Sequence, residues 1–233
     1  MRIRIIGPGR AGRSFALALG EAGAEVELLE RRASAADAAD DVDVVLICTP
    51  DAAIAEVATV IVPGEAAVLH CSGATGLDVL AGHERVGSVH PLMSLPDPET
   101  GASRLRAGGW FAVSGDPVAI ALVERLGGRH FVVDDELRAL YHAAAAVSAN
   151  HLVALMGQVE RLAALAGVPV DAFLDLAAGS FDDVRRAGAA AALTGPAARG
   201  DHQTMDAHRQ ALPPEEVALY DALAEAAARL AGH

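Results

Sequence analysis

The chain has 233 residues, 52% of them hydrophobic, and a formal net charge of −13 at pH 7. That length allows one large domain or two small ones, and alanine carries much of the hydrophobic share, which points to closely packed helices rather than an aromatic core. The acidic balance excludes a general nucleic-acid binder, which needs a basic surface to displace counterions.

Lysine is absent: all 18 basic residues are arginine, which removes Schiff-base chemistry and any lysine acid or base. Cys48 and Cys71 are not spaced as a C-x-x-C pair and read as small buried thiols at strand ends. The start, Met1-Arg2-Ile3-Arg4, reads as a charged strand and not as a signal peptide. No run of 18 or more apolar residues occurs in the sequence. A soluble cytoplasmic protein with no membrane partner is expected.

Ile3 to Ile6 reads as a buried strand, followed at once by Gly7-Pro8-Gly9-Arg10-Ala11-Gly12. Ser14 to Ala22 has helical composition, and Glu25 to Leu29 is strand-like again. Strand, glycine-rich turn, helix and strand open a dinucleotide-binding unit. Gly7 permits the tight turn, Gly9 lets the backbone approach a pyrophosphate, and Gly12 lets the helix pack close to the sheet. The helix N-terminus, with Arg10 and Ala11 in its first turn, turns free N–H groups toward the phosphates.

Glu30 closes the second strand about 20 residues after the glycines, where a carboxylate accepts from the ribose hydroxyls of NAD. Arg31 and Arg32 follow and suit the 2′-phosphate of NADP, unless they form a solvated basic turn. The signals conflict; two adjacent arginines outweigh one carboxylate that can rotate away, so NADP is favoured over NAD.

Ala33 to Asp41 reads as a short helix or an acidic turn. Val42 to Cys48 is a strand ending in Thr49-Pro50-Asp51, and Ala52 to Val60 is helical. Ala67 to Cys71 is a strand ending in Ser72-Gly73, and a short helix spans Leu77 to Leu80. Arg85 to Val89 is a strand ending in His90-Pro91-Leu92. This alternation predicts a doubly wound parallel sheet, whose ligands bind at the carboxyl ends of its strands, where Thr49, Pro50, Ser72, Gly73 and His90 fall. Residues 93 to 109 read as a loop. Two further strands, Trp110 to Val113 and His130 to Val133, flank a helix from Pro117 to Leu126.

From Asp135 to Ala166 the apolar residues Leu137, Leu140, Tyr141, Ala144, Val147, Leu152 and Leu155 recur at helical spacing, giving one long helix or two joined near Gly157. Residues 171 to 233 read as helices broken at Gly179-Ser180, Thr194-Gly195-Pro196, Arg199-Gly200-Asp201 and Pro213-Pro214. The expected organisation is an NAD(P)-binding Rossmann domain over 1–134 and an all-helical substrate and dimerisation domain over 135–233. His202 and His208 lack metal-ligand spacing, so no metal is expected.

The motifs G-P-G-R-A-G, D-V-V-L-I-C-T-P-D, H-C-S-G and H-P-L resemble the 6-phosphogluconate dehydrogenase-like superfamily, which includes ketopantoate reductase and pyrroline-5-carboxylate reductase. Y-H-A-A-A-A-V-S-A-N at 141–150 and L-T-G-P-A-A-R-G-D at 193–201 resemble a helical domain of unknown function that often follows this Rossmann unit. The resemblance implies a helical domain that dimerises and closes over the nicotinamide. Several relatives use a helix lysine as the acid, a role this chain cannot fill.

Hydride transfer to a carbonyl needs a donor at its oxygen. His142 and Asn150 share a broad face of the long helix, which the resemblance sets beside the nicotinamide; His142 suits an acid and Asn150 an orienting group that is costly to bury without a partner. His142 has the alternative of a packing residue, and His90, which competes for the acid role, of a ring holding the turn before Pro91. Arg199 suits a substrate carboxylate or a salt bridge with Asp201 or a partner chain. The expected activity is NAD(P)-dependent reduction of a small ketopantoate-like 2-oxo acid. An imine reductase of the pyrroline-carboxylate type and a non-catalytic dinucleotide-binding regulator are the alternatives.

Overall fold

The computed structural model describes residues 1–30 and 34–232. Arg31, Arg32 and Ala33 lie outside the described residues, so the expectation for the two arginines is not addressed by it. The chain divides into two compact units, Met1–Ala149 and Asn150–His233. The first helical turns after the sheet pack with it, Arg138 reaching Ser88 and Tyr141 reaching His90.

The first unit holds a seven-stranded sheet in the order β2-β1-β3-β4-β5-β6-β7. Its strands are β1 Arg2–Ile6, β2 Glu25–Leu29, β3 Val44–Ile47, β4 Ala67–His70, β5 Val86–Pro91, β6 Trp110–Gly115 and β7 Arg129–Val132. Its helices are α1 Arg10–Glu21, α2 Asp51–Val60, α3 Pro98–Leu105, α4 Val118–Arg125 and α5 Arg138–Ala146. Apolar residues cover both faces. Ile3, Ile5, Leu46, Leu69, Val89 and Phe111 pack with Phe15 and Leu19 of α1 and Leu122 of α4, while Ile6, Val45, Ile47 and Val68 pack with Ile54 and Ala58 of α2. Burial on both faces is why these strands read as continuous apolar runs rather than alternating ones.

The α/β doubly wound expectation holds with one correction: β5 and β6 pair antiparallel, Ser88 opposite Ser114 and His90 opposite Ala112. The cause is the segment read as a loop, which contains α3. Asp97 caps this helix by accepting from the Thr100 N–H, and Pro98 opens its first turn. Gly101 sits so close to α1 that a Cβ on it would stand 2.1 Å from Ser14 Oγ. The segment therefore returns to the edge it left instead of crossing over, and β6 must run backward. Residues 36–41 form the acidic turn rather than a helix, anchored by Arg4 Nη1 donating to the carbonyls of Asp37, Ala38 and Asp40.

A π-helical turn, Val147–His151, follows α5. The second unit contains α6 Leu152–Ala166, which runs through Gly157, and α7 Val170–Ala187. The expected break at Gly179-Ser180 does not occur, since Ser180 Oγ donates to the Leu176 carbonyl inside the helix. Short helices α8 Ala189–Ala192 and α9 Pro196–Arg199 lead to α10 His202–Ala211 and α11 Pro214–Ala231. Asp201 caps α10 by accepting from Thr204, and Glu216 of α11 joins α6 through Arg161 and Gln158.

The stretch Asp135–Ala166 contains an 18-residue window of mean hydropathy 1.2, long and apolar enough for a membrane span by length and composition. It also carries Arg138, His142, Asn150 and His151, groups that a bilayer core would leave unpaired.

Candidate active site

The site begins at the carboxyl end of β1. Gly7 has φ +112°, and a Cβ on it would stand 2.7 Å from the Cys48 carbonyl carbon. A Cβ on Gly12 would stand 2.0 Å from Gly7 O. Both glycines are thus demanded by the protein's own packing. Gly9 is not: a Cβ there meets nothing within 4 Å. Gly9 is the N-cap of α1 and offers no side chain to its first turn, so N–H groups beside Arg10 and Ala11 remain for a ligand.

Beyond β3, Thr49 Oγ1 is buried without a hydrogen-bond partner among the described residues, and Pro50 is the N-cap of α2. A buried hydroxyl with no partner is costly and marks a place for a ligand's polar group. Glu30 stands exposed directly after β2. Together these residues fit a dinucleotide: an open backbone edge at Gly9, a helix N-terminus and a waiting hydroxyl. Ser72 plays another part. Its Oγ donates to Thr75 Oγ1 and accepts the N–H groups of Ala74 and Thr75, so it shapes the 72–76 turn.

A cavity of about 910 Å³ lies at the amino ends of the strands. Asp40, Asp41, Asp43, Glu65 and Glu84 line it, a wall that repels phosphates.

The reactive side chains gather where β4, β5 and α5 meet. His90 is the last residue but one of β5, and its Nδ1 lies 2.6 Å from the Tyr141 hydroxyl. The His142 ring stands edge-on to His90 with centroids 5.9 Å apart. Both rings crowd Gly73: a Cβ there would be 2.8 Å from His90 Nε2 and 2.8 Å from His142 Cδ2. Arg138, one helical turn before Tyr141 and His142, is 2% exposed. It donates to Ser88 Oγ at 2.6 Å and to Asp135 Oδ1 at 2.7 Å. Burial alone would raise the Asp135 pKa, yet donation from Arg138 and from the Leu77 N–H holds its carboxyl below the usual range. Fully buried His70, the last residue of β4, accepts the Ser72 N–H at Nδ1.

Burial lowers the His70 pKa to about 4, with Arg138 adding to the effect. Burial likewise lowers His90 to about 4, with His142 and Arg138 adding. An unfolded histidine titrates at about 6.5, so between those values the unfolded chain binds more protons. Stability is therefore full above about pH 6.5 and falls as the pH drops toward about 4. Each ring contributes on the order of 3 kcal/mol at the limit, and neighbouring rings titrate together rather than additively. The urea midpoint should drop between about pH 7 and about pH 5, with a smaller drop in His70→Gln; an unchanged wild-type midpoint would refute this.

The structure thus brings His90 and His142 together over Gly73, and adds Tyr141, Arg138 and His70, which sequence reasoning had not placed at the site. The spacing of Arg138, Tyr141 and His142 along one helix face was the available signal. Asn150 is exposed, so the argument from its burial does not apply in this chain. Arg199 ends α9, exposed and without an ion pair among the described residues, while Asp201 is engaged by Thr204. His208 Nδ1 lies 2.9 Å from the Tyr220 hydroxyl.

A Rossmann-type sheet followed by helices is also the fold of the solved structures that the chain resembles. More particularly, residues 111–227, half of the chain, match the family model described as domain of unknown function DUF2520, and the chain belongs to that family. A protein of Thermotoga maritima is similar at 24% identity and TM-score 0.73, over 99% of this chain and 98% of that one. A Bacteroides fragilis protein provisionally assigned as an NADP oxidoreductase gives 20% identity and TM-score 0.78, over 98% of each chain. The Plasmodium falciparum pyrroline carboxylate reductase, solved with NADP bound, gives 11% identity and TM-score 0.67, over 99% of this chain and 98% of that one. At these identities the likeness is one of fold. No curated protein matches significantly.

Proposed function

We propose that this protein is a soluble NAD(P)-dependent oxidoreductase that reduces a small carboxylated carbonyl compound of the 2-oxo acid, ketopantoate-like type. The observation that carries the reading is the convergence of His90 and His142 over Gly73, at the same edge of the sheet as the glycine turn. The dinucleotide, when bound, supplies the hydride. Gly7, Gly9 and Gly12 with the first turn of α1 hold its pyrophosphate, and Thr49 offers its partnerless hydroxyl. NADP is proposed ahead of NAD, on the arginines after Glu30. His142 or His90 serves the oxygen that gains charge. A panel of 2-oxo acids and cyclic imines, followed by NADPH oxidation, tests this. Turnover of cyclic imines alone would establish the pyrroline-type alternative; dinucleotide binding without any turnover would establish the regulatory one.

The helical unit is proposed to form a homodimer. Val153, Leu165 and Leu176 are 71%, 70% and 67% exposed, and Leu140 of α5 is 71% exposed. Large apolar side chains of these helices thus lack cover in the single chain, and a second copy would bury them. Sedimentation equilibrium should give twice the chain mass at micromolar concentration, and Leu176→Asp should shift the equilibrium toward monomer. A monomeric wild type would overturn the proposal.

A further inference from the structure

His90 has two ring nitrogens with different surroundings. Nδ1 is 2.6 Å from the Tyr141 hydroxyl, while Nε2 faces the space that a Cβ on Gly73 would fill. The Tyr141 ring is fixed from both sides: edge-on to His90 with centroids 5.6 Å apart, and edge-on to Phe131 at 5.7 Å. Phe131 in turn leans on Trp110 at 6.0 Å. The hydroxyl is therefore not free to swing away from Nδ1.

The direction of that hydrogen bond follows from acid–base chemistry. A phenol O–H is a stronger acid than a neutral imidazole N–H, and the imidazole lone pair is a stronger base than a phenol oxygen. The favoured arrangement is O–H donating to Nδ1, which places the ring hydrogen on Nε2. Charge does not disturb this at neutral pH. Burial keeps His90 near a pKa of about 4 and lifts Tyr141 to about 12. The titratable groups that face His90 are His142, Tyr141 and Arg138 on α5, His70 on β4 and Asp51 on α2; His142, Arg138 and His70 oppose a positive ring, and Asp51 opposes them.

We propose that Tyr141 is a positioning residue that locks His90 as the Nε2–H tautomer, so that the site presents a fixed, uncharged N–H donor over Gly73 to the oxygen or nitrogen of the substrate's double bond. The proposal rests on the oxidoreductase reading for the identity of the acceptor, but not for the state of the ring. It assigns His90 the hydrogen-bonding part and makes the donor independent of pH across the neutral range.

Long-range ¹H–¹⁵N correlation spectra of the full ligand-free chain test the ring directly. Across about pH 5.5 to about 8, where an ordinary histidine titrates, His90 should show the Nε2–H pattern and no titration. In Tyr141→Phe the two tautomers should mix. A wild-type His90 that titrates near the ordinary value, or that carries its hydrogen on Nδ1, overturns the proposal whatever the activity. With a substrate found, Tyr141→Phe should lower kcat by about 10- to 100-fold with the KM for dinucleotide unchanged, as expected when a donor acts on the transition state alone. An unchanged kcat also overturns it. Should the spectra show the locked tautomer while no substrate of the panel turns over, the assignment of the ring stands and the oxidoreductase reading fails.

Discussion

Replacing Gly9 with valine should abolish dinucleotide binding and leave thermal unfolding unchanged. The backbone there has φ −82° and ψ −169°, an extended conformation that any residue adopts, and no protein atom lies within 4 Å of the new Cβ. The side chain would instead occupy the open edge where a pyrophosphate must meet the backbone. Losing two hydrogen bonds to charged phosphate, at about 1.5–3 kcal/mol each, weakens affinity by about 10²-fold or more. Gly12→Ala makes the contrast, because its Cβ would collide with Gly7 O at 2.0 Å; it should lower the melting temperature as well as the affinity. Calorimetric titration with NADPH and NADH, beside a thermal melt, reads both. Unchanged affinities in Gly9→Val would remove the glycine turn from the proposed site.

The contrast between these glycines shows what the sequence made legible. The turn, the strands around it and the residues at the carboxyl ends followed from local patterns: apolar runs, glycine spacing and the points where strands stop. The antiparallel return at β6 did not, because it depends on where 92–109 goes after leaving β5. Its proline, glycine and serine content masked a helix whose start, Asp97-Pro98-Glu99-Thr100, carries an N-cap and an N1 proline. In α7 the same reliance on composition put a break at Gly179-Ser180, where neighbouring turns hold the helix intact. For α5 periodicity found the helix but not its buried side. Leu137 and Leu140 are exposed, while Arg138 is buried. A buried arginine is tolerable only where Asp135, Ser88 and a carbonyl satisfy it, and that set of partners comes from three separate stretches of chain. Pairwise tertiary satisfaction of this kind leaves no periodic trace.

Gly73→Ala should remove most of the turnover while sparing both the fold and dinucleotide affinity. Gly73 has no left-handed backbone to lose, so an alanine is sterically allowed by the main chain. Its Cβ, however, would stand 2.8 Å from His90 Nε2 and from His142 Cδ2, and rings packed between Tyr141 and the 72–76 turn cannot both retreat. Displacing a hydrogen-bond donor from a reacting oxygen costs about 10²–10³ in kcat, and the dinucleotide contacts at Gly7, Gly9 and Gly12 are untouched. A double-mutant cycle identifies which ring carries the effect. If the alanine acts through His90, then adding it to His90→Ala should cost little more than His90→Ala alone, while adding it to His142→Ala should still cost its full factor. The reverse pattern would return the donor role to His142. Full activity in Gly73→Ala would mean that neither ring serves the reacting atom, and that the proton or hydrogen bond comes from water.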